Sequence, residues 1–123
     1  MATTQLTYSA LVPNSNLTQP TGTTLVAAPT NNMQLAAAKP ELTVLRVSNT
    51  DDDTELTFTV KAGDMPPAIA AGQGDLDVTV AFGTVEFIGP FESGRFLQSD
   101  GSMIFESTTT TGAVTALRVP RNT

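Results

Sequence analysis

Carboxylates are the groups in this sequence whose type and spacing come nearest to acid–base chemistry. The 123-residue chain has no histidine and no cysteine, so it lacks the commonest general base and the thiol nucleophile. A pair of carboxylates can hydrolyse glycosidic bonds. The candidates for such a pair are Asp75, Asp77, Glu86 and Glu92. Because Asp75 and Asp77 alternate with apolar residues, they are expected on the solvent face of a strand, and we do not expect an enzyme.

A run of three aspartates, Asp51–Asp53, offers the oxygen ligands that calcium prefers. The run lacks the glycine and the closing glutamate of an EF-hand loop, and a solvated acidic turn explains it as well. Gly72-Gln73-Gly74 is too short for a phosphate-binding loop, and it precedes a strand pattern instead of a helix. The sequence therefore predicts no catalytic residue, no metal and no cofactor.

The charge distribution argues against a nucleic-acid partner and divides the chain. Twelve acidic and six basic side chains give a net charge of −6, and the basic ones are scattered instead of forming a patch. All of these charged residues lie in residues 39–123, and residues 1–38 contain none. We find neither a secretory signal nor an apolar run long enough to span a bilayer, so no membrane partner is expected.

Residues 1–38 are rich in Thr, Ala and Asn, and their three prolines prevent a long helix. We interpret them as an uncharged, extended N-terminal arm. An extended arm can add a strand to the sheet of a neighbouring protein, or it can fold back and donate the first strand of its own sandwich. Its candidate partner-binding anchors are the spaced apolar residues Leu6, Tyr8, Leu11, Val12, Leu17, Leu25 and Val26.

Residues 39–123 have the pattern of an all-β domain. Alternation of apolar and polar residues predicts strands at Leu56–Val60 and at 75–82, where Phe82 is expected to face inward. Asp100-Gly101 predicts a two-residue turn in a hairpin that joins two core strands. Several short strands without helical periodicity favour an antiparallel β-sandwich, immunoglobulin-like or jelly-roll-like.

The phenylalanines indicate where the core and a possible contact site lie. Phe91 falls in a corner, where it either packs over the end of the sandwich or faces a partner. With Arg95 it forms the candidate partner-binding site of the domain. The other phenylalanines lie in strand patterns and are expected in the core: Phe58, Phe82, Phe87, Phe96 and Phe105.

Four stretches between residues 39 and 123 carry a family resemblance: RVSNTD, KAGDMPPA, GQGDLDVTVAFGTVEFIGPFESGRFLQSDGSMIFE and GAVTALRVPRNT. In this order they resemble a group of small β-sandwich structural proteins encoded by tailed bacteriophages. The GPFES run and the terminal TALRVP run carry most of the likeness. The start MATTQLTYSAL is similar to the group in style only.

The resemblance implies a capsid decoration or cement protein, which binds the outside of the shell and fastens neighbouring capsomers. It implies the major capsid protein as partner and a place on the capsid exterior of the virion, after synthesis in the host cytoplasm. The small core without disulfides favours self-association as a dimer or trimer. Since the arm holds no charge and no phenylalanine, we expect its deletion to spare the fold and to weaken attachment.

A second hypothesis is a sugar- or receptor-binding sandwich on a tail or cell surface. Its site would combine Phe91 and Arg95 with the loop 64–74. The absence of tryptophan and the presence of a single tyrosine make a stacking platform for sugars less suitable.

Overall fold

Two packed β-sheets form the protein, as seen in a computed structural model that describes residues 2–27, 31–63 and 74–119. The first sheet has the order β1-β4-β9-β6-β7, and the second has the order β2-β10-β5-β8, with β3 also paired to β10. The strands are β1 (Ala2–Gln5), β2 (Tyr8–Ala10), β3 (Thr23–Thr24), β4 (Asn31–Leu35), β5 (Thr43–Asn49), β6 (Leu56–Val60), β7 (Leu76–Val80), β8 (Val85–Ile88), β9 (Met103–Ser107) and β10 (Gly112–Arg118). The predicted β-sandwich is confirmed.

The core lies between the sheets and follows the alternation of the strands. Residues of β5, β6 and β9 are buried at every second position, as expected for strands with one covered face. Phe58 on β6 stacks on Phe105 of β9 with ring centroids 5.8 Å apart. From the second sheet, Leu45 and Val47 on β5 are completely buried and belong to the same hydrophobic core. The predicted inward positions of Leu56–Val60 are therefore confirmed.

The N-terminal segment is part of this sandwich. β4 pairs with β9 in the first sheet, while β2 and β3 pair with β10 in the second. Leu25, Met33 and Leu35 are at most 1% exposed and lie in the core. The division at residue 38 therefore has no counterpart in the sheets, and the segment takes the alternative in which it folds back onto its own domain. It also makes the sheets mixed instead of antiparallel, since β1–β4 and β2–β10 are parallel pairs.

Two local predictions were wrong. The segment before Asp100-Gly101 is a short helix, α1 (Ser93–Phe96), so the turn leads from a helix into β9 and joins no hairpin of two strands. Phe82 is 53% exposed because it lies in the turn after β7, and Phe87 is 64% exposed because it lies on the outer face of β8. The inward position at that end of β8 belongs to Ile88, which is opposite Leu45.

In the described part of the chain, no helix is long and apolar enough to cross a membrane.

Deletion of residues 1–38 should unfold the protein, which reverses the expectation from composition. The deletion removes four strands and the fully buried Leu25, Met33 and Leu35. Each fully buried side chain of this size stabilises the fold by about 1.5–3 kcal/mol, against a typical total of about 5–15 kcal/mol. Circular dichroism and amide NMR dispersion measure the outcome. A truncated chain with a native-like spectrum would contradict the pairing described above.

A matched pair of point variants tests the same assignment without deletion. Leu25→Ala should lower the free energy of unfolding by about 2–5 kcal/mol, because it leaves a cavity in the core. Leu17→Ala in the same segment should change it by less than about 0.5 kcal/mol, because Leu17 is 39% exposed. Urea denaturation compares the two, and equal effects would be incompatible with this structure.

Gly101 should not tolerate a β-branched residue. Its φ is +86°, a conformation that glycine adopts readily, and no atom stands within 4 Å of the position a Cβ would take. The cost of Gly101→Val is therefore backbone strain alone, about 1–2 kcal/mol. Gly101→Asn is the control, since asparagine enters this region more easily and should cost less. Equal stability of the two variants in urea would show that the turn relaxes without strain.

Candidate interaction surface

The predicted anchors of the N-terminal segment divide into a buried and an exposed group. Tyr8 is half-buried, and its hydroxyl lies 2.6 Å from Thr43 Oγ1 and accepts a hydrogen bond from the Lys39 amide at 2.7 Å. The anchors that lie in the core or pack against it are Leu6, Tyr8, Leu25 and Val26. These residues contribute to the packing of the protein's own domain. The anchors that stay accessible are Leu11, Val12 and Leu17.

A groove on the outer face of the second sheet gathers two of these accessible anchors. We call it the outer-face groove; its volume is about 210 Å³ and its lining residues are Leu11, Leu17, Gln19, Pro20, Arg46, Phe87, Thr115 and Leu117. Phe87, Arg46 and Thr115 stand directly opposite one another on β8, β5 and β10, so they form one row across the sheet. The groove is therefore built by three strands and by the loop that follows β2.

The loop of residues 11–22 is fixed to β10 at both ends. The Leu11 amide donates a hydrogen bond to the Arg118 carbonyl at 2.9 Å. At the other end, Gly22 lies so close to β10 that an added Cβ would stand 2.7 Å from Thr115 Oγ1. Glycine at this position lets the loop approach the sheet, which brings Leu17 over its outer face.

The groove combines apolar walls with a single cation. Arg46 lies in the middle of β5 and is half-buried, and within the described ranges its guanidinium forms no ion pair. None of the described residues that line the groove is acidic. The volume is smaller than the roughly 300–1,000 Å³ of most small-molecule sites. The groove therefore fits a side chain or a short segment of a protein better than a free ligand, and a carboxylate or carbonyl oxygen is the natural partner of Arg46.

Exposed apolar side chains extend this surface beyond the groove. Phe87 is 64% exposed, and Val85, two residues before it on the same face of β8, is 39% exposed. Val12, which follows Leu11, is 60% exposed. Single exposed apolar residues are common, but several of them beside an apolar groove are typical of an interaction site.

The second candidate site, Phe91 with Arg95, is occupied by internal contacts. Phe91 is 5% exposed and packs edge-to-face against Phe96, with ring centroids 5.6 Å apart. Arg95 lies over the Phe96 ring at 4.7 Å and donates from Nε to the Gly74 carbonyl at 3.2 Å. Phe91 therefore takes the packing alternative, over the end of the sandwich. Most of the loop predicted to complete this site, residues 64–73, lies outside the described residues.

A cluster of charges stabilises the β6–β7 end of the first sheet. Lys61 Nζ lies 2.9 Å from Asp75 Oδ2 and 3.6 Å from Glu106 Oε1. Burial alone would raise the pKa of Asp75, but hydrogen bonds from the Ala62 amide and from Lys61 outweigh it and hold that pKa below its usual value. The pKa of Lys61 is raised, chiefly by its hydrogen bond to Asp75. Lys61 thus bridges two carboxylates, and this arrangement links the ends of β6 and β7 to β9.

The turn between β5 and β6, which contains the three aspartates, is held by hydrogen bonds from its backbone amides to side-chain oxygens. The Asp51 amide donates to Asn49 Oδ1, and the Asp53 amide donates to Asp51 Oδ1, each at 3.1 Å. The hydrogen bond from Asp53 holds the pKa of Asp51 below its usual value. One carboxylate oxygen from each of Asp51, Asp52 and Asp53 lies within 4.8 Å of the others. The hydrogen bonds explain the run as turn chemistry.

Sequence reasoning missed Arg46, Phe87 and Leu117 as members of an accessible surface. Arg46 was available as a signal, because it interrupts an otherwise apolar strand at the position between Leu45 and Val47. Phe87 gave no such signal, because its strand has apolar residues on both faces.

Comparison of the chain with protein-family models, curated proteins and solved structures gave no match.

Asp75→Asn should lower the free energy of unfolding at neutral pH. It should also make that free energy depend less on pH in the acidic range. The folded pKa of Asp75 is depressed, so its contribution is present above the ordinary value of 3.8 and is lost as the pH falls through the folded pKa. Because the side chain is 35% exposed, the loss should stay below about 1 kcal/mol. Urea denaturation at pH 7 and pH 3 measures it. Asp77→Asn, which leaves Lys61 its partner, is the control; parallel pH profiles for wild type and Asp75→Asn would contradict the assignment.

Proposed function

We propose that this protein is a virion structural protein that binds the outside of a phage capsid and fastens neighbouring capsomers. The observation that supports it is the outer-face groove, which is lined by the exposed Phe87. Val85 is exposed on the same face of β8, and Val12 is exposed next to the groove residue Leu11 in the sequence. This surface suits a protein partner, and nothing in its lining suits a reaction. The choice of a capsid as partner comes from the resemblance of residues 39–121 to phage decoration proteins, and the groove is the surface that we propose for this contact.

The structure changes how the N-terminal segment would take part. Four strands of the segment belong to the sandwich, so it does not reach across to a neighbour as a free arm. It contributes instead the loop 11–22, which presents Leu11, Val12 and Leu17. In this proposal the loop and β8 contact the major capsid protein together, and the rest of the acidic surface faces solvent. Self-association as a dimer or trimer remains part of the proposal, since adjacent copies on a symmetric shell would meet.

The ligand-binding alternative receives no specific support from the described residues. It placed Phe91 and Arg95 at the centre of the site, and both are engaged in internal packing. The outer-face groove contains one cationic side chain, Arg46, and its volume of about 210 Å³ is small for an oligosaccharide.

Phe87→Ser should weaken attachment to shells assembled from the major capsid protein of the same genome. Removal of a central aromatic contact typically costs about 2 kcal/mol or more, so co-sedimentation should show a roughly 30-fold or greater loss of affinity. Phe82→Ser is the matched control, because Phe82 is 53% exposed and lies outside the groove. It should change the affinity by less than about threefold.

Neither substitution should affect folding, because both side chains are exposed, and circular dichroism checks this. Wild-type strength binding by Phe87→Ser would remove the groove from the interface. Saturable binding of the wild-type protein to a glycan array, together with no affinity for shells, would favour the ligand-binding alternative.

A further inference from the structure

Strand β8 ends the second sheet with an open edge. In the described part of the chain β8 pairs with β5 on one side, and no strand pairs with its other side. Exposed edges are templates for a further strand, and many proteins bind extended segments in this way. We infer that the open edge of β8 binds an extended, antiparallel strand of a partner protein, in which a basic residue stands between two apolar residues. This inference deepens the proposed function, because it describes how the partner is held.

The hydrogen-bond pattern shows which backbone groups of β8 are available. The Asn49 amide donates to the Thr84 carbonyl at 3.0 Å, so residues 49 and 84 form a hydrogen-bonded pair. In an antiparallel ladder such pairs alternate, so Glu86 and Ile88 also direct their backbone groups to β5. Val85 and Phe87 consequently direct their N–H and C=O groups away from β5, toward the open edge. Within the described residues no hydrogen bond to these groups from outside the sheet is found.

The side chains of β8 define what an added strand must carry. Val85 and Phe87 are exposed on the outer face, so the flanking residues of the added strand would cover apolar surface there. Glu86 points to the opposite face, is exposed, and forms no ion pair among the residues described. The residue facing Glu86 would form a non-hydrogen-bonded pair, in which side chains come closest. A lysine or arginine at that position gives the complementary charge.

The same glutamate argues against a second copy as the occupant. Gly83 has φ +70° and Gly89 has φ +124°, so the extended backbone of β8 is bounded on both sides. Two copies of β8 could pair antiparallel about a two-fold axis. The register that keeps the whole extended segment paired sets Val85 opposite Phe87 of the second copy. It sets Glu86 directly against Glu86, and like charges in that position repel. Glu86 thus disfavours self-pairing of the edge in this register and, by the same charge, selects a basic partner strand.

Two short peptides test the proposal on the full-length protein. Both have about nine residues that alternate threonine and valine; one has lysine at its centre and the other has glutamate. In NMR titrations the lysine peptide should bind about tenfold tighter than the glutamate peptide. Glu86→Lys should invert the preference, and Glu86→Gln should remove it. Equal affinity of the two peptides for the wild type, no binding of either, or an unchanged preference in Glu86→Lys would each overturn the proposal.

Amide exchange shows whether the bound peptide forms a ladder. On binding of the lysine peptide, the amides of Val85 and Phe87 should become at least about tenfold more protected, while those of Glu86 and Ile88 should be protected already in the free protein. Protection that instead spreads over the loop 11–22 would show side-chain docking without strand addition. Protection of Val85 and Phe87 that rises with protein concentration alone would show that a second copy fills the edge, and would also overturn the proposal.

Val85→Pro tests whether the open edge of β8 is needed for binding to the shell. Proline removes the N–H that faces outward, which an edge strand tolerates, and it should reduce both peptide and shell binding about tenfold; Val85→Thr keeps the N–H and is the control. Shell binding by Val85→Pro at wild-type strength would overturn strand addition and leave the proposed function intact. Lysine-peptide binding by a protein with no affinity for shells would reject the capsid as partner and leave the edge proposal standing.

Discussion

The pairing of β10 with strands on both of its edges is the interaction on which the rest of the structure depends. β5 lies on one edge over the whole length of β10, while β2 and β3 share the other edge. This arrangement brings the beginning and the end of the chain into one sheet. It also fixes the loop 11–22 above the outer face, because the loop leaves β10 after β2 and returns to it at β3. Without these two short pairings the outer-face groove would lose one of its walls.

The absence of charge in residues 1–38 has a physical cause at those positions that lie in the core. Strands β1 to β4 lie in the sheets, and residues around them such as Leu25 and Met33 are buried. An unpaired charge at a buried position would cost several kcal/mol, by order of magnitude. Threonine suits the half-exposed positions of the same strands without that cost. Burial therefore explains the absence of charge at the core positions of the segment, whereas most residues of the loop 11–22 are exposed and are neutral without that constraint.

The two edges of the second sheet differ in charge. At one edge, β2 and β3 complete the edge of β10 with short neutral strands. At the other edge, no strand among the described residues pairs with the outer side of β8, and Glu86 places a charge on it. Apolar side chains stay exposed on the outer face beside that edge, at Val85 and Phe87. An open edge that repels its own copy and offers apolar surface is consistent with a protein that associates with a different chain.

The sequence by itself determined the class of the fold and the parts of the core that rest on local alternation. Leu56, Phe58 and Val60 could be assigned to the interior because their polar neighbours leave one choice of face. The absence of histidine and cysteine likewise excludes imidazole and thiol chemistry from the chain's own side chains, whatever fold they adopt.

Only the tertiary structure decided the partners of the N-terminal strands and the face of β8 that is exposed. A period of two defines two faces of a strand, but it does not say which face is covered. In β8, Val85 and Phe87 share one face, and Glu86 and Ile88 share the other, so hydrophobicity favoured burial of the phenylalanine. The register with β5 set Ile88 opposite the buried Leu45 and thereby turned Phe87 outward. That register depends on residues about 40 positions apart, and local patterns contain no information on such long-range pairing.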